Sequence, residues 1–425
     1  MDKSNKLTTS SLPDSTALTK QSQSSWSVLR NRNYALLFWG QLISSTGTQL
    51  WGIVVIWQVY LLTHSALALG LIGLVQAIPR LVFSLVGGLF ADVFDRRKML
   101  LIIDGILASL STLLALFTFF HVINVFIIYG IVLIATSVAA FEYPTRQAII
   151  PSLVPREQMA DATSLSMVMA QLTGIVGPMI GGFLIAWVGI ATTYWLDVLS
   201  YGIVISSLLF MVVPRIPAET RPQVGVSALM DGLRFLRTHP IILSVISLDF
   251  FAVFFGSPIA LLPVFANDIL HVGSQGLGIL LAADSIGAIA VAPFAGRVGH
   301  IARKGLGVVL SILVWGICII AFGLFPSSLW LAALFLLGAG AADMVSMLLR
   351  FMIIPLITPD EFRGRIGSVN AMFAIGGTQL GSFESGFVAA LTTPQISVVS
   401  GGIICILATI VIVACVPNLL KVKVK

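Results

Sequence analysis

Ionisable residues lie deep inside long apolar stretches of this sequence, among them Arg80, Asp249, Asp284, Asp343 and Glu384. A charge at the centre of a hydrocarbon layer costs about 2.5–3.5 kcal/mol or more, so such residues line a wet cavity, pair with one another or serve a function. Arginine offers a planar donor fork that grips an anionic group through charge-assisted hydrogen bonds. A carboxyl whose surroundings alternate between dry and wet can load and release a proton. Arg80 shares a helical side with Gly73, Gln76, Ser84 and Gly88, which turns it toward protein or water. It could hold an anionic group of a ligand or form a structural ion pair with another acid, and spacing leaves both open. Asp343, Ser346 and Arg350 recur at i, i+3 and i+7 on one face, and Glu142 and Arg146 are an i, i+4 pair. Gln41, Ser45 and Thr48 form a polar stripe, and Asp249 opens an aromatic run with Phe250 and Phe251.

Other chemistries lack their residues. The histidines at 64, 121, 239, 271 and 300 are scattered, with no metal-ligand spacing, and no phosphate-cradling GxxxxGK[ST] loop is present. Cys318, Cys405 and Cys415 show no CxxC spacing and read as packing residues. Neither an enzyme nor a nucleotide-driven pump is expected, and no cofactor or metal.

These charges must be held by elements that lipid surrounds. The chain has 425 residues, of which 57% are hydrophobic and 10% charged. Soluble domains carry about 25% charged residues. Twelve apolar spans can be read, at 34–60, 68–91, 99–120, 122–144, 160–187, 191–213, 241–266, 275–298, 305–325, 328–354, 366–390 and 396–416. With both termini in the cytoplasm, every Lys and Arg outside the spans falls in an inner gap, as the positive-inside rule requires. That asymmetry accounts for the net charge of +6 without a nucleic-acid partner.

The expected organisation is a disordered cytoplasmic tail (1–32), an N-terminal six-helix bundle (33–213), a cytoplasmic linker with an amphipathic helix (214–240), a C-terminal six-helix bundle (241–417) and a basic cytoplasmic tail (418–425). The linker opens with Pro214, Pro217 and Pro222; Val226, Leu229, Met230 and Leu233 then share an apolar face, with Asp231, Arg234 and Arg237 elsewhere. The two bundles repeat at an offset of 204: Arg146 matches Arg350, Pro151 matches Pro355, Glu157 matches Glu361 and Gly182 matches Gly386. Repeated halves with a binding site between them are a signature of secondary transporters. The same offset sets Arg80 against Asp284, and both are expected to face a central cavity.

Two motifs carry a family resemblance. After the second span the chain reads Gly87-Gly88-Leu89-Phe90-Ala91-Asp92-Val93-Phe94-Asp95-Arg96-Arg97-Lys98. Gly88, Asp92, Arg96 and Arg97 resemble the signature between helices 2 and 3 of the major facilitator superfamily, with Val93 in place of a basic residue and Asp95 in place of a glycine. The fifth span carries Gly174, Gly177, Pro178, Gly181 and Gly182, which resemble the GxxxGPxxGG antiporter motif of that superfamily. The fragments Arg32–Phe38, Phe141–Ala148, Thr358–Glu361 and Gly364–Gly367 are similar to the branch that contains the enterobactin exporter and macrolide efflux proteins.

The resemblance implies an all-α membrane protein with twelve transmembrane helices in two pseudo-symmetric six-helix bundles. It implies a monomeric secondary transporter of the bacterial cytoplasmic (inner) membrane, exporting a siderophore-like or drug-like small molecule by alternating access, with the proton gradient as energy source. A proton-coupled importer on the same fold is the alternative. In this superfamily spans one, four, seven and ten line the cavity. Asp249 and Asp343 are thereby candidate proton carriers; Arg80, Asp284, Gln41, Ser45 and Thr48 are candidates for cargo or coupling; Glu384 is a candidate outer-gate residue. Gly88, Asp92, Arg96 and Arg97 would form a gating lock, and Glu142, Arg146 and Arg350 conformational charge pairs.

Overall fold

The computed structural model describes residues 25–93, 95–212, 230 and 234–422, including all their side chains except those of 25, 26, 84–93 and 360. The described residues form helices and turns with no strand. Six helices make the first half: α1 (Arg32–Thr63), α2 (Ala66–Val93), α3 (Arg96–Phe119), α4 (Val125–Leu153), α5 (Met159–Val188) and α6 (Ile190–Phe210). Six more make the second: α7 (Pro240–Ile269), α8 (Gly273–Gly299), α9 (Lys304–Leu324), α10 (Leu329–Ile357), α11 (Arg363–Leu391) and α12 (Pro394–Cys415). Ten of these twelve helices are long and apolar enough by composition alone to cross a membrane. The other two, α1 and α11, are diluted by Gln, Ser, Thr and Gly.

Side chains outside the spans fix the helix starts. Asn31 accepts from the amides of Asn33 and Tyr34, and Asn124, Ser328 and Thr393 cap α4, α10 and α12 in the same manner. Many large apolar side chains point outward, among them Phe126, Trp187, Leu199, Trp330 and Leu391, each more than 60% exposed. Lipid is the solvent that such a surface suits.

Two helices bend where the sequence frees a backbone group. The helix α7 breaks at Ser257-Pro258 and resumes through tight and wide turns to Ile269. The helix α4 is interrupted around Ala140 and Phe141 and continues to Leu153, so residues 145–153, expected as a gap, extend the span.

The expected N-terminal tail is ordered where it is described. Ser25–Arg30 forms a 3-10 helix whose Val28 is completely buried, because an apolar side chain there can pack onto the first bundle. Pro417–Lys421 likewise forms a 3-10 helix, and Leu419 is buried against α9 beside Gly305. Cys405 is buried, but Cys415 is exposed and does not pack. Most of the expected amphipathic linker helix lies outside the described residues; Met230 is described and exposed. Beyond it, Phe235 stacks on Phe362 and Leu236 packs with Ile242, Ile366 and Val369.

The halves meet along two helix pairs, α5 with α8 and α2 with α11. Glycines set both approaches at the end of the bundle remote from the chain termini, here the far end. A Cβ on Gly182 would stand 2.9 Å from the Gly278 Cα, and one on Gly70 would stand 3.0 Å from the Gly386 Cα. Only residues without a side chain allow helices so near. Gly386 is the repeat equivalent of Gly182, so the two seams are related by the pseudo-two-fold.

Candidate functional site: a central cavity with a shared arginine

Between the halves lies a cavity of about 420 Å³. The first half contributes Gln49, Ile53 and Ile56 from α1 and Gly174 and Pro178 from α5. The second contributes Asp284 and Ser285 from α8, Trp315 from α9 and Asp343 from α10. The volume falls in the range of small-molecule sites.

A polar clasp closes the far end. The Tyr60 hydroxyl, at the end of α1, donates to the Asp268 carboxylate of α7, and the Asn267 amide donates to the Tyr60 oxygen at 2.9 Å. Ser274 Oγ of α8 donates to the Gly182 carbonyl of α5 at 3.0 Å. The terminal end differs. Gly364 and Gly367, at the start of α11, have open space where a Cβ would be, and the bundle offers two recesses there. One of about 460 Å³ is lined by the first half alone and one of about 230 Å³ by the second half alone. Among the described residues the side-chain hydrogen bonds between the halves thus lie at the far end, and each terminal-end recess is lined by one half alone.

The second-half recess holds the main charge cluster. Arg350 of α10 is buried and forms an ion pair with Asp249 of α7. Its other terminal nitrogen lies 3.7 Å from Asp343, one helical face back along α10. The Arg350 Nε and the Ser346 hydroxyl are buried without a partner among the described residues. Asp343 is 53% exposed and lines both this recess and the central cavity. The i, i+3, i+7 face expected for Asp343, Ser346 and Arg350 is therefore present, and Asp249 joins it from another helix.

The first-half recess holds a smaller cluster. Arg146 lies 3.7 Å from Glu142 on α4, and Gln41 of α1 donates to Glu142 at 2.7 Å. Ser45 and Thr48 line this recess with Tyr143 and Gln147, so the expected polar stripe faces it.

Arg80 and Asp284 do not meet. Asp284 lines the central cavity, whereas Arg80 is half-buried on α2 and makes no hydrogen bond or ion pair among the described residues. The expectation that both face one cavity is corrected for Arg80: equivalence in a repeat sets depth, not proximity. Glu384 is half-buried toward the far end of α11 and also lacks a partner among the described residues; the clasp there is built from Tyr60, Asn267 and Asp268 instead.

The motif after the second span also differs from expectation. Gly88 and Asp92 lie among the residues whose side chains are not described. Arg97 donates from Nε to the Leu208 carbonyl and from Nη2 to the Leu209 carbonyl, both at 2.7 Å, closing the C-terminus of α6. Arg97 therefore staples helices within the first half. Arg96 is half-buried nearby, and Asp95, in place of the family's glycine, caps α3 by accepting from the Arg97 and Lys98 amides. The antiporter glycines divide between two neighbours. Gly177 and Gly181 face Gln49, Leu50 and Ile53 of α1, while Gly174 faces Ser285 and Gly182 faces Gly278 of α8. Pro178 is buried between them, its carbonyl against Gly278.

Two buried acids were not among the candidates read from sequence. Asp104 is 3% exposed on α3. Asp197 on α6 is completely buried; Ser111 donates to one carboxyl oxygen at 2.7 Å, and the other is unpaired among the described residues. Both sit in apolar runs, and the criterion that singled out Asp249 would have found them.

A twelve-helix bundle of two glycine-seamed halves, with a charged cavity between them, defines a polytopic transporter. The profile of the transmembrane secretion effector family matches residues 23–423, and the chain belongs to that family of major facilitator transporters. It is 28% identical over 371 residues to the enterobactin exporter EntS of Escherichia coli O1:K1 / APEC, covering 87% of this chain and 88% of that one. The EntS of Shigella boydii serotype 18 is 29% identical over the same length. Among solved structures, an inward-facing, unoccupied bacterial homologue of the human lysosomal transporter Spinster has a TM-score of 0.69 at 14% identity, covering 95% of this chain and all of that one. The nucleoside transporter NupG has a TM-score of 0.67 at 15% identity, covering 90% of this chain and all of that one.

Proposed function

We propose that this protein exports an amphipathic small molecule across the bacterial cytoplasmic membrane in exchange for protons. The termini lie in the cytoplasm, as the placement of Lys and Arg favours. The terminal-end recesses then lie on the cytoplasmic side, and the far-end clasp is the exit gate. The observation that carries coupling is the position of Asp343. It lines the cargo cavity and shares Arg350 with Asp249. Cargo entering the cavity and a proton arriving through the recess compete for the same carboxylate, which links the two movements. Kinship with proteins named as enterobactin exporters makes a siderophore-like cargo the first reading. A drug-like cargo is the second, favoured by the apolar, acid-bearing cavity wall.

Inverted membrane vesicles with an acidic interior test the proposal. With enterobactin and ethidium as probes, one of them should accumulate, and its addition should discharge the pH gradient. Accumulation that ignores the gradient, or that occurs only in right-side-out vesicles, would refute export by exchange.

A further inference from the structure

The central cavity has a one-sided charge chemistry that nothing above assigns. Two ionisable side chains line it, Asp284 and Asp343, and both are acids. No Lys, Arg or His lines it among the described residues. The stretch 84–93, whose side chains are not described, contains no basic residue either. Arg80 is not in the wall. Arg350 lies behind Asp343 in the adjoining recess, already paired with Asp249. Three carboxyl groups thus stand against one guanidinium around this space. The remaining wall is mostly apolar, with Ile56, Leu280, Leu336 and Trp315 prominent.

We infer that the cargo is an amphipathic organic cation, with its charged centre toward Asp284 and Asp343 and its apolar body against the aliphatic wall and Trp315. The inference rests on the reading of this cavity as the cargo site, and it selects the drug-like cargo over the siderophore-like one, whose catechols carry no positive charge. An anion entering here would meet two carboxylates and no free counter-charge, which like-charge repulsion in a low-dielectric site penalises. A cation meets a carboxylate, Asp284, that makes no hydrogen bond or ion pair among the described residues and faces the cavity directly. A cation that reaches Asp343 competes with its link to Arg350, so its binding is felt by Asp249 and α7.

Tetraphenylphosphonium and tetraphenylborate have the same shape and opposite charge, so comparing them isolates charge from bulk. Binding of each to the purified full-length protein is measured by calorimetry, for the native chain and for Asp284→Asn. Asp284→Asn should weaken tetraphenylphosphonium by about tenfold, the size of one partly solvated charge contact, and leave tetraphenylborate unchanged or tighter. Asp343→Asn should give the same signature, which guards against a folding defect in one variant. Glu157→Gln, exposed on the short 3-10 helix Arg156–Gln158, should alter neither probe. The inference is overturned if tetraphenylphosphonium does not bind, if its affinity survives both variants, or if the two probes change in parallel. Specific cation binding without gradient-driven accumulation in inverted vesicles would instead refute the export reading and leave this one intact.

Discussion

Replacing Asp249 by Asn tests whether the α7–α10 ion pair holds the second half together. Asp249 and Arg350 side chains are only 11% and 10% exposed. Removing one partner of a buried pair costs about 3–5 kcal/mol, because the other charge stays buried. Here the loss is smaller, since Asp343 remains 3.7 Å from the guanidinium. Asp343 stands farther from the guanidinium than Asp249 does and lines a cavity, so it compensates the stranded charge only in part. The expected cost of Asp249→Asn is therefore about 2–4 kcal/mol. Arg350→Met should cost about as much, by stranding Asp249 instead. The double variant strands neither charge and should be far less damaged than the sum, with an interaction energy of about 2 kcal/mol or more. Reversible unfolding in mixed micelles measures all three. Additivity within about 0.5 kcal/mol would show that the pair is not coupled, and the reasoning would fail.

The far-end seams make two further predictions. Gly182→Val places a branched side chain where a Cβ already lies 2.9 Å from the Gly278 backbone, so α5 and α8 must separate. Spin labels across the far end should report longer distances, and an unchanged distribution would refute the seam's role. Tyr60→Phe removes the hydroxyl that bonds Asp268 and Asn267. A hydrogen bond to a charged group contributes about 1.5–3 kcal/mol, so far-end opening should rise by about tenfold or more. The maleimide labelling rate of Ser274→Cys, in a background without the native cysteines, measures it; an unchanged rate would show that the clasp does not latch.

Hydropathy made the twelve helices legible because lipid imposes one length and one chemistry on every span. The break in α7 at Ser257-Pro258 is not legible in the sequence, because a proline inside a span need not interrupt it. The Asp343–Arg350 face followed from helical spacing. Its partner Asp249 was singled out by depth, but the pairing needed the neighbourhood of α7 and α10, which no periodicity encodes. The clasp escaped notice because Tyr60, Asn267 and Asp268 stand at span ends, where polar residues are ordinary. Arg97 was read as a gate by its motif, and its bonds to the Leu208 and Leu209 carbonyls depend on a helix over a hundred residues away.

The repeat is most informative where its chemistry departs from symmetry. Arg146 and Arg350 are equivalent at the offset of 204, so each half keeps an arginine at the same height. Their counter-ions are not equivalent. Glu142 sits on the same helix as Arg146, and its equivalent is the neutral Ser346. Asp249 sits on α7, and its equivalent on α1 is Ser45. The first-half pair is thus internal to one helix and survives any movement between helices. The second-half pair ties two helices, one of them broken at Ser257-Pro258, and so responds when they shift. Asp343 has no counterpart either, since Ala139 stands at its equivalent position. Among the described residues, the carboxylate that both lines the central cavity and approaches an arginine, Asp343, lies in the second half. On the proposed mechanism, coupling between cargo and charge would then belong to that half.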